Sequence, residues 1–189
     1  FKCGPYDSFK EWSPDERIDG MAEYDIAVVG GLGHVGLPLG IAFAEKGMKV
    51  VLIDRDREKA EVVRRGEMPF IEYGAEPLLK RSLAQGNLAI SLESADMGKA
   101  RYVIVAIGTP VDEYLNPRTR EFLEFFEGIR PFLRQEQIII IRSSVYPRTC
   151  EHVLKLLGSG WHIAYCPERI VQGYAIKELK ELPQIVAGL

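Results

Sequence analysis

The sequence predicts a doubly wound α/β fold, in which helices cover both faces of a mainly parallel β-sheet. Short runs of β-branched residues alternate with helical stretches from residue 25 onward, and the strand Ile138–Ile141 is apolar at every position. The first pattern is typical of a parallel sheet, and the second indicates a central strand buried on both faces. The 189 residues, 47 % hydrophobic and 27 % charged, have the composition of an ordinary globular protein.

The elements are predicted one after another from their hydrophobic period. Apolar, often β-branched runs predict seven strands, over residues 26–29, 50–53, 88–91, 102–106, 137–141, 162–164 and 185–187. Amphipathic stretches between them predict six helices, over residues 34–46, 57–64, 76–84, 119–133, 148–157 and 174–182. Residues 1–23 mix prolines and glycines with charges and show neither period, so they predict an N-terminal arm on a single domain over residues 24–189.

Charge and cysteine content narrow the classes of partner. A net charge of −3 gives no positive field for nucleic acid or an anionic membrane, so neither is expected as a partner. No run approaches the roughly 18 apolar residues of a membrane helix. The three cysteines, Cys3, Cys150 and Cys166, lack the spacing of metal ligands, and their odd number suits reduced thiols in the cytoplasm. No metal site is expected.

The first predicted strand runs into a glycine-rich turn, Gly30-Gly31-Leu32-Gly33-His34-Val35-Gly36, and a helix follows. This is Gly-x-Gly-x-x-Gly in the context that binds the diphosphate of a dinucleotide. Gly31 is expected to make the tight turn, Gly33 to let the diphosphate approach the backbone, and Gly36 to let the helix pack on the strand. Free N–H groups and the helix dipole would then hold the phosphates without a basic side chain.

Asp54 supplies the second half of this fingerprint. It follows the next strand, 18 residues after Gly36, close to the spacing of the acid that binds the adenosine ribose. Both features together favour a Rossmann-type dinucleotide-binding domain over a turn that binds nothing. A carboxylate about 4 Å from the 2′-phosphate of NADP would repel it by roughly 4 kcal/mol at an effective dielectric constant near 20, so NAD is expected. Arg55 and Arg57 complicate this choice, because an arginine after the strand can bind that phosphate.

Later strands also end in candidate site residues. Gly108-Thr109-Pro110 follows the fourth strand, where a proline-stiffened turn can hold a hydroxyl and backbone N–H groups against the cofactor. Ser143 and Ser144 follow the all-isoleucine strand, and Glu168 follows the sixth strand. Each has a plainer interpretation, as a simple turn, a helix N-cap and a surface glutamate respectively.

Taken together, these segments resemble the UDP-glucose/GDP-mannose dehydrogenase family, whose members oxidise the C6 alcohol of a nucleotide sugar to a carboxylate. The resemblance covers about residues 24–189. It rests on Gly31-Leu32-Gly33-His34-Val35-Gly36-Leu37-Pro38-Leu39, Gly108-Thr109-Pro110, Ser143-Ser144-Val145 with Pro147 and Thr149, Cys166-Pro167-Glu168-Arg169, and Pro183-Gln184-Ile185-Val186. These motifs recur in the family's order and at similar spacing, which makes the resemblance specific.

The resemblance implies roles for individual residues. In the family, a threonine at the position of Ser144 helps position a water, and a glutamate at the position of Glu168 acts with it in acid/base steps beside the sugar. Partial burial at a closed site would raise the pKa of such a carboxyl toward the working range. Arg169 is left with two alternatives, a phosphate or Glu168. The residues expected to bind NAD are Gly31, Leu32, Gly33, His34, Val35, Gly36, Asp54, Arg55, Gly108, Thr109, Pro110 and Ser144.

The sequence departs from the family pattern at Gln172. UDP-glucose-specific members often carry a second acid four residues after the first, and glutamine cannot serve as a base. The chain therefore looks more like the branch that acts on UDP-N-acetyl-hexosamines, such as UDP-N-acetylmannosamine, with UDP-glucose as the alternative substrate.

The resemblance also implies that part of the enzyme is missing. The family's nucleophilic cysteine lies in a Gly/Phe-rich motif of the C-terminal half, and no such motif occurs here. We therefore expect the chain to bind NAD but not to turn over a UDP-sugar alone, and we expect any homodimer contacts to lie in that half. Two alternatives are the first domain of a β-hydroxyacid-type dehydrogenase and a non-catalytic module that senses NAD.

Overall fold

The computed structural model describes residues 22–109, 113 and 118–188. Most of the predicted arm over residues 1–23 lies outside the described residues, and so does Pro110. The described strands are β1 (Tyr24–Val29), β2 (Val50–Ile53), β3 (Leu88–Ser91), β4 (Ala100–Val105), β5 (Ile138–Ile141), β6 (His162–Tyr165) and β7 (Ala187–Gly188). The described α-helices are α1 (Gly36–Ala44), α2 (Arg57–Arg64), α3 (Ala75–Ala84), α4 (Thr119–Ile129), α5 (Thr149–Leu157) and α6 (Ala175–Glu181).

These strands form one sheet in the order β3-β2-β1-β4-β5-β6-β7. Strands β1 to β6 are parallel, and β7 pairs antiparallel with β6. The chain moves outward from β1 through β2 to β3 and then crosses back to β4 on the other side of β1. Ligands of open α/β sheets bind at such a switch point, outside the carboxyl ends of the strands. The predicted Rossmann-type fold is therefore confirmed.

Two apolar cores hold the sheet between its helices. Alternate side chains of β1 show the division, because successive residues of a strand point to opposite faces. Ala27 and Val29 lie in the core beneath α4 and α5, whereas Ile26 and Val28 lie in the core beneath the other four helices. Within the described ranges, no helix combines the length and the apolar character needed to cross a membrane.

Several predicted boundaries shift in the structure. Helix α1 spans Gly36–Ala44 rather than residues 34–46, since the glycine turn continues to Val35. Helix α4 ends at Ile129 and passes into a 3-10 turn, Arg130–Phe132, because Pro131 has no N–H to continue the helix. The last strand is shorter than predicted within the described residues, of which Ala187 and Gly188 pair with β6.

The expectation that β5 is buried on both faces was partly wrong. The strand does have a neighbour on each side, β4 and β6. Ile139 and Ile141 are fully buried beneath α4 and α5, but Ile138 is 36 % exposed and Ile140 is half-buried. Ile138 is the first residue of the strand and lies at the amino edge of the sheet.

Glu72 joins two distant segments near the site. Its side chain is 6 % exposed, and its carboxylate accepts hydrogen bonds from the backbone N–H of Gly173 (3.1 Å) and of Ile176 (3.3 Å). A carboxylate is favoured there because these N–H groups lie at the amino end of α6. The contact fixes the turn that carries Gln172.

Replacing Glu72 by glutamine is expected to lower the free energy of unfolding by roughly 1–2 kcal/mol, because an amide N–H₂ would face a buried N–H donor. Urea unfolding measures the change. Glu76→Gln is the matched control, because Glu76 is exposed and pairs with Lys80 one helical turn away. A pair of this kind contributes about 0.5 kcal/mol or less. Equal losses in the two variants would contradict this role of Glu72.

Candidate functional site

The glycine turn is held tightly between β1 and the neighbouring strands. Gly30, not Gly31 as expected, has the positive φ of the turn, at 75°. A Cβ on Gly31 would lie 2.7 Å from the carbonyl oxygen of Val28, so its missing side chain serves close packing. A Cβ on Gly36 would lie 2.3 Å from the carbonyl oxygen of Gly30, which is the close approach of helix to turn expected there.

Gly33 differs from the other glycines of the turn. A Cβ built on it would meet only the carbonyl oxygen of Gly30, at 3.3 Å, and the residue lines a cavity of about 1090 Å³. At the N-cap of α1, Val35 makes no side-chain hydrogen bond, and the described residues contain no acceptor for the backbone N–H of His34 or Val35. The positive end of the helix dipole is thus open toward an anion.

Asp54 points toward this turn from the end of β2. One carboxylate oxygen accepts a hydrogen bond from the backbone N–H of Leu32 at 3.0 Å. The other oxygen accepts from the N–H of Arg55 at 2.8 Å and of Asp56 at 3.2 Å. These bonds fix the direction of the carboxylate before any ligand binds. The Leu32 side chain itself is buried in the core.

Two adjoining cavities lie along the carboxyl edge of the sheet. The larger, of about 1090 Å³, is lined by Gly33, Asp54, Arg55, Gly108, Thr109 and Ser144, among others. The smaller, of about 250 Å³, is lined by His34, Val35, Gly108, Thr109, Ser144 and Glu168, among others. The structure therefore brings most of the predicted site residues together. Gly31, Leu32 and Gly36 lie behind these surfaces, in the packing of the turn.

The loops after β4 and β5 are tied to each other. The Thr109 hydroxyl donates to the backbone carbonyl of Ser144 at 3.0 Å, and the buried Ser143 hydroxyl donates to the carbonyl of Ile107 at 2.7 Å. Ser144 is exposed and borders both cavities. It is not the N-cap of α5, because that position belongs to Arg148.

The Glu168 carboxylate is held by three donors. One of its carboxylate oxygens accepts from the backbone N–H of Arg169 at 2.7 Å and of Ile170 at 3.0 Å. The other pairs with the guanidinium of Arg142. The plainer interpretation as a surface glutamate is excluded, since the side chain is 9 % exposed.

Arg142 is a residue of the site that sequence reasoning missed. Glu168 was one of two alternative partners for Arg169, but the Arg169 guanidinium instead donates to the carbonyl of Pro183. The signal available in the sequence was the position of Arg142, directly between the all-isoleucine strand and Ser143. An arginine at the carboxyl end of an interior strand faces the crevice where ligands bind.

The two described cysteines are free thiols, and both are buried. Burial raises the pKa of Cys150, so this thiol is protonated near neutral pH and is a poor nucleophile. The Cys166 sulfur accepts a hydrogen bond from Arg142 at 2.9 Å. Neither borders the two cavities. Among the described residues, no group of three or more His, Cys, Asp or Glu side chains could hold a metal ion.

The geometry suits a dinucleotide. An open helix end beside Gly33 can hold a diphosphate, and the fixed carboxylate of Asp54 in the same cavity can accept from ribose hydroxyls.

Comparisons with known proteins agree with this geometry. Residues 24–189 match the UDP-glucose/GDP-mannose dehydrogenase family, NAD binding domain. A UDP-N-acetyl-D-mannosamine dehydrogenase of Methanococcus aeolicus is 33 % identical over 171 residues, which cover 87 % of this chain and 38 % of that relative. A UDP-glucose 6-dehydrogenase of Pseudomonas aeruginosa is 31 % identical over 168 residues, or 84 % of this chain and 37 % of the relative.

A solved structure shows the same relation. The UDP-D-ManNAc dehydrogenase from Pyrococcus horikoshii superposes with a TM-score of 0.80 at 28 % identity, over 87 % of this chain and 41 % of that structure. The chain thus spans about two fifths of the length of the relatives that it matches. The chain belongs to the UDP-glucose/GDP-mannose dehydrogenase family, in which it corresponds to the NAD-binding domain.

Proposed function

We propose that this chain is the cofactor-binding half of a nucleotide-sugar 6-dehydrogenase, which oxidises the C6 alcohol of a UDP-sugar to a uronate. The observation that carries the proposal is the hydrogen bond between the Leu32 N–H and Asp54, which joins the two halves of the dinucleotide fingerprint. NAD, when bound, supplies the hydride acceptor. Membership of the family excludes the alternative of a β-hydroxyacid-type dehydrogenase.

The residues of the two cavities have different proposed roles, which are cofactor binding in the larger cavity and chemistry beside the sugar in the smaller one. Backbone N–H groups of residues 34–35 bind the diphosphate, and Asp54 binds the adenosine ribose in the larger cavity. Ser144 and Glu168 border the smaller cavity, where the Ser144 hydroxyl positions a water and the Glu168 carboxylate holds or moves a proton. A module that only senses NAD has no need of this pair, which favours the dehydrogenase.

Gln172 supports a UDP-N-acetyl-hexosamine as the substrate. It borders the smaller cavity together with Glu168. An amide can donate to the carbonyl oxygen of an acetamido group, which an acid at this position can do only when protonated. UDP-N-acetylmannosamine fits this chemistry, and UDP-glucose is the alternative substrate.

The chain alone is proposed to be inactive, because the nucleophilic thiol would come from a further segment. Both described cysteines are buried away from the cavities. The two free thiols also support a reducing location, the cytoplasm. Contacts of a homodimer are proposed to lie in the same further segment.

Fluorescence titration with NADH and NADPH tests the cofactor assignment. NADH is expected to bind at least about tenfold more tightly, since the fixed Asp54 carboxylate repels a 2′-phosphate. Tighter binding of NADPH would show that Arg55 and Arg57 decide the preference. Incubation with NAD and either UDP-N-acetylmannosamine or UDP-glucose is expected to yield no NADH, and turnover by this chain would overturn the proposed need for a further segment.

A further inference from the structure

The Arg142–Glu168 ion pair lies beside the smaller cavity and is almost fully buried. The side chains are 4 % and 9 % exposed respectively. Removing two charges from water costs several kcal/mol per ion, and apolar residues of similar volume often stabilise a fold as well or better. A contribution to stability therefore does not explain why this pair is present. Its position beside the cavity suggests a role in the site instead.

Arg142 is itself held from three directions. One guanidinium nitrogen donates to the Cys166 sulfur at 2.9 Å and to the side-chain oxygen of Gln184 at 2.8 Å, and the other pairs with Glu168. The backbone N–H of Arg142 donates to the carbonyl of Val105 at 2.8 Å. The guanidinium is thus fixed by the segment after β6 and by the segment before β7, while the backbone of Arg142 is fixed by the end of β4.

Arg142 also fixes Glu168 through its backbone. Its carbonyl oxygen accepts from the Glu168 N–H at 3.1 Å, while its guanidinium pairs with the Glu168 carboxylate. The remaining carboxylate oxygen is taken by the N–H groups of Arg169 and Ile170. The buried Nε of Arg142 has no hydrogen-bond partner among the described residues. One donor is therefore left over beside the cavity that Arg142 and Glu168 both line.

We propose that Arg142 is a positioning residue, which sets the orientation of the Glu168 carboxylate toward the smaller cavity and is held in turn by Gln184 and Cys166. This role rests on the proposed function, in which Glu168 acts beside the sugar. Without the guanidinium, one carboxylate oxygen has no partner, so the carboxylate can rotate away from the N–H groups of Arg169 and Ile170.

Amide hydrogen exchange followed by NMR tests this role in the 189-residue chain, without cofactor. Arg142→Met is expected to speed exchange of the Arg169 and Ile170 amides by about tenfold relative to the amides of β1, which report global unfolding. Arg142→Lys keeps a charged donor, so the exchange rates of these two amides are expected to lie between those of Arg142→Met and of the wild type. In a Glu168→Gln background, Arg142→Met should add little, because the carboxylate on which Arg142 acts is gone.

Arg134→Met is the matched control. Arg134 is also partly buried and has a buried Nε without a partner among the described residues, but its guanidinium donates to the carbonyl of Ala100, away from Glu168. The decisive quantity is the exchange rate of the Arg169 and Ile170 amides divided by that of the β1 amides. The proposal is overturned if Arg142→Met leaves this ratio unchanged or if Arg134→Met changes it equally. If Arg142→Met does not fold, Gln184→Leu at an exposed position decides instead, with faster exchange at the same two amides supporting the role and no change overturning it.

A parallel NADH titration separates this inference from the proposed function. Wild-type protein that fails to bind NADH would defeat the proposed function, while the exchange ratio would still decide whether Arg142 orients Glu168. Normal NADH binding with an unchanged ratio would defeat only the role of Arg142.

Discussion

Alanine at Gly36 is expected to lower the free energy of unfolding by about 3 kcal/mol, the upper end of what overpacking costs. The new Cβ would lie 2.3 Å from the carbonyl oxygen of Gly30 and 2.8 Å from the Cα of Gly31. Both are backbone atoms of the turn, so relief requires α1 to move away from β1. Urea unfolding measures the loss.

Gly33→Ala is the matched comparison, because it adds the same methyl group three residues away. Its nearest contact would be 3.3 Å, so the free energy of unfolding should change by less than about 1 kcal/mol. The methyl group would project into the larger cavity, so NADH is expected to bind at least about tenfold more weakly. If Gly33→Ala kept full affinity for NADH, the diphosphate could not lie against this turn.

Asp54→Ala is expected to weaken NADH binding by roughly 10- to 150-fold. Loss of a hydrogen bond to a charged group costs about 1.5–3 kcal/mol, and each 1.4 kcal/mol is a factor of ten in affinity. The Leu32 N–H would lose its partner as well, which loosens the turn. The preference for NADH over NADPH should fall in the same variant, because the repelling charge is gone. Calorimetric titration with both cofactors measures these changes.

Asp56→Ala separates the role of Asp54 from a general effect of removing an acid. Asp56 is the N-cap of α2, and its carboxylate accepts from the Lys59 N–H at 3.0 Å. The variant should lose about 1 kcal/mol of stability but keep its affinity for NADH. Equal NADH affinity in wild type and Asp54→Ala would remove Asp54 from the site.

Features that depend on neighbouring residues were predictable from the sequence. The turn from Gly30 to Gly36 and the alternation of β1 and β2 with helices specify the first half of the sheet, because each element is set by a local period or by glycine geometry. Which glycine takes the positive φ was not predictable, since Gly30 and Gly31 are adjacent and both lie in close contact with backbone far away in the sequence.

Contacts between segments far apart in the chain could not be predicted in the same way. Glu72 lies about 100 residues from Gly173, and Arg142 is 42 residues from Gln184. No hydrophobic period or sequence motif predicts such pairs, because these residues meet only when the folded sheet places the segments at its carboxyl edge side by side. The same reason explains why Arg169, adjacent to Glu168 in sequence, was considered as its partner in place of Arg142.

An NMR titration of the ¹⁵N-labelled chain with NADH tests the central claim most directly, because it reports both binding and its place. Chemical shift changes concentrated in the backbone amides of residues 30–36, 54–55 and 106–109 are the predicted result. Saturation with no change in the first two groups, or changes confined to another face of the sheet, would contradict the assignment of this turn and Asp54 as the cofactor site.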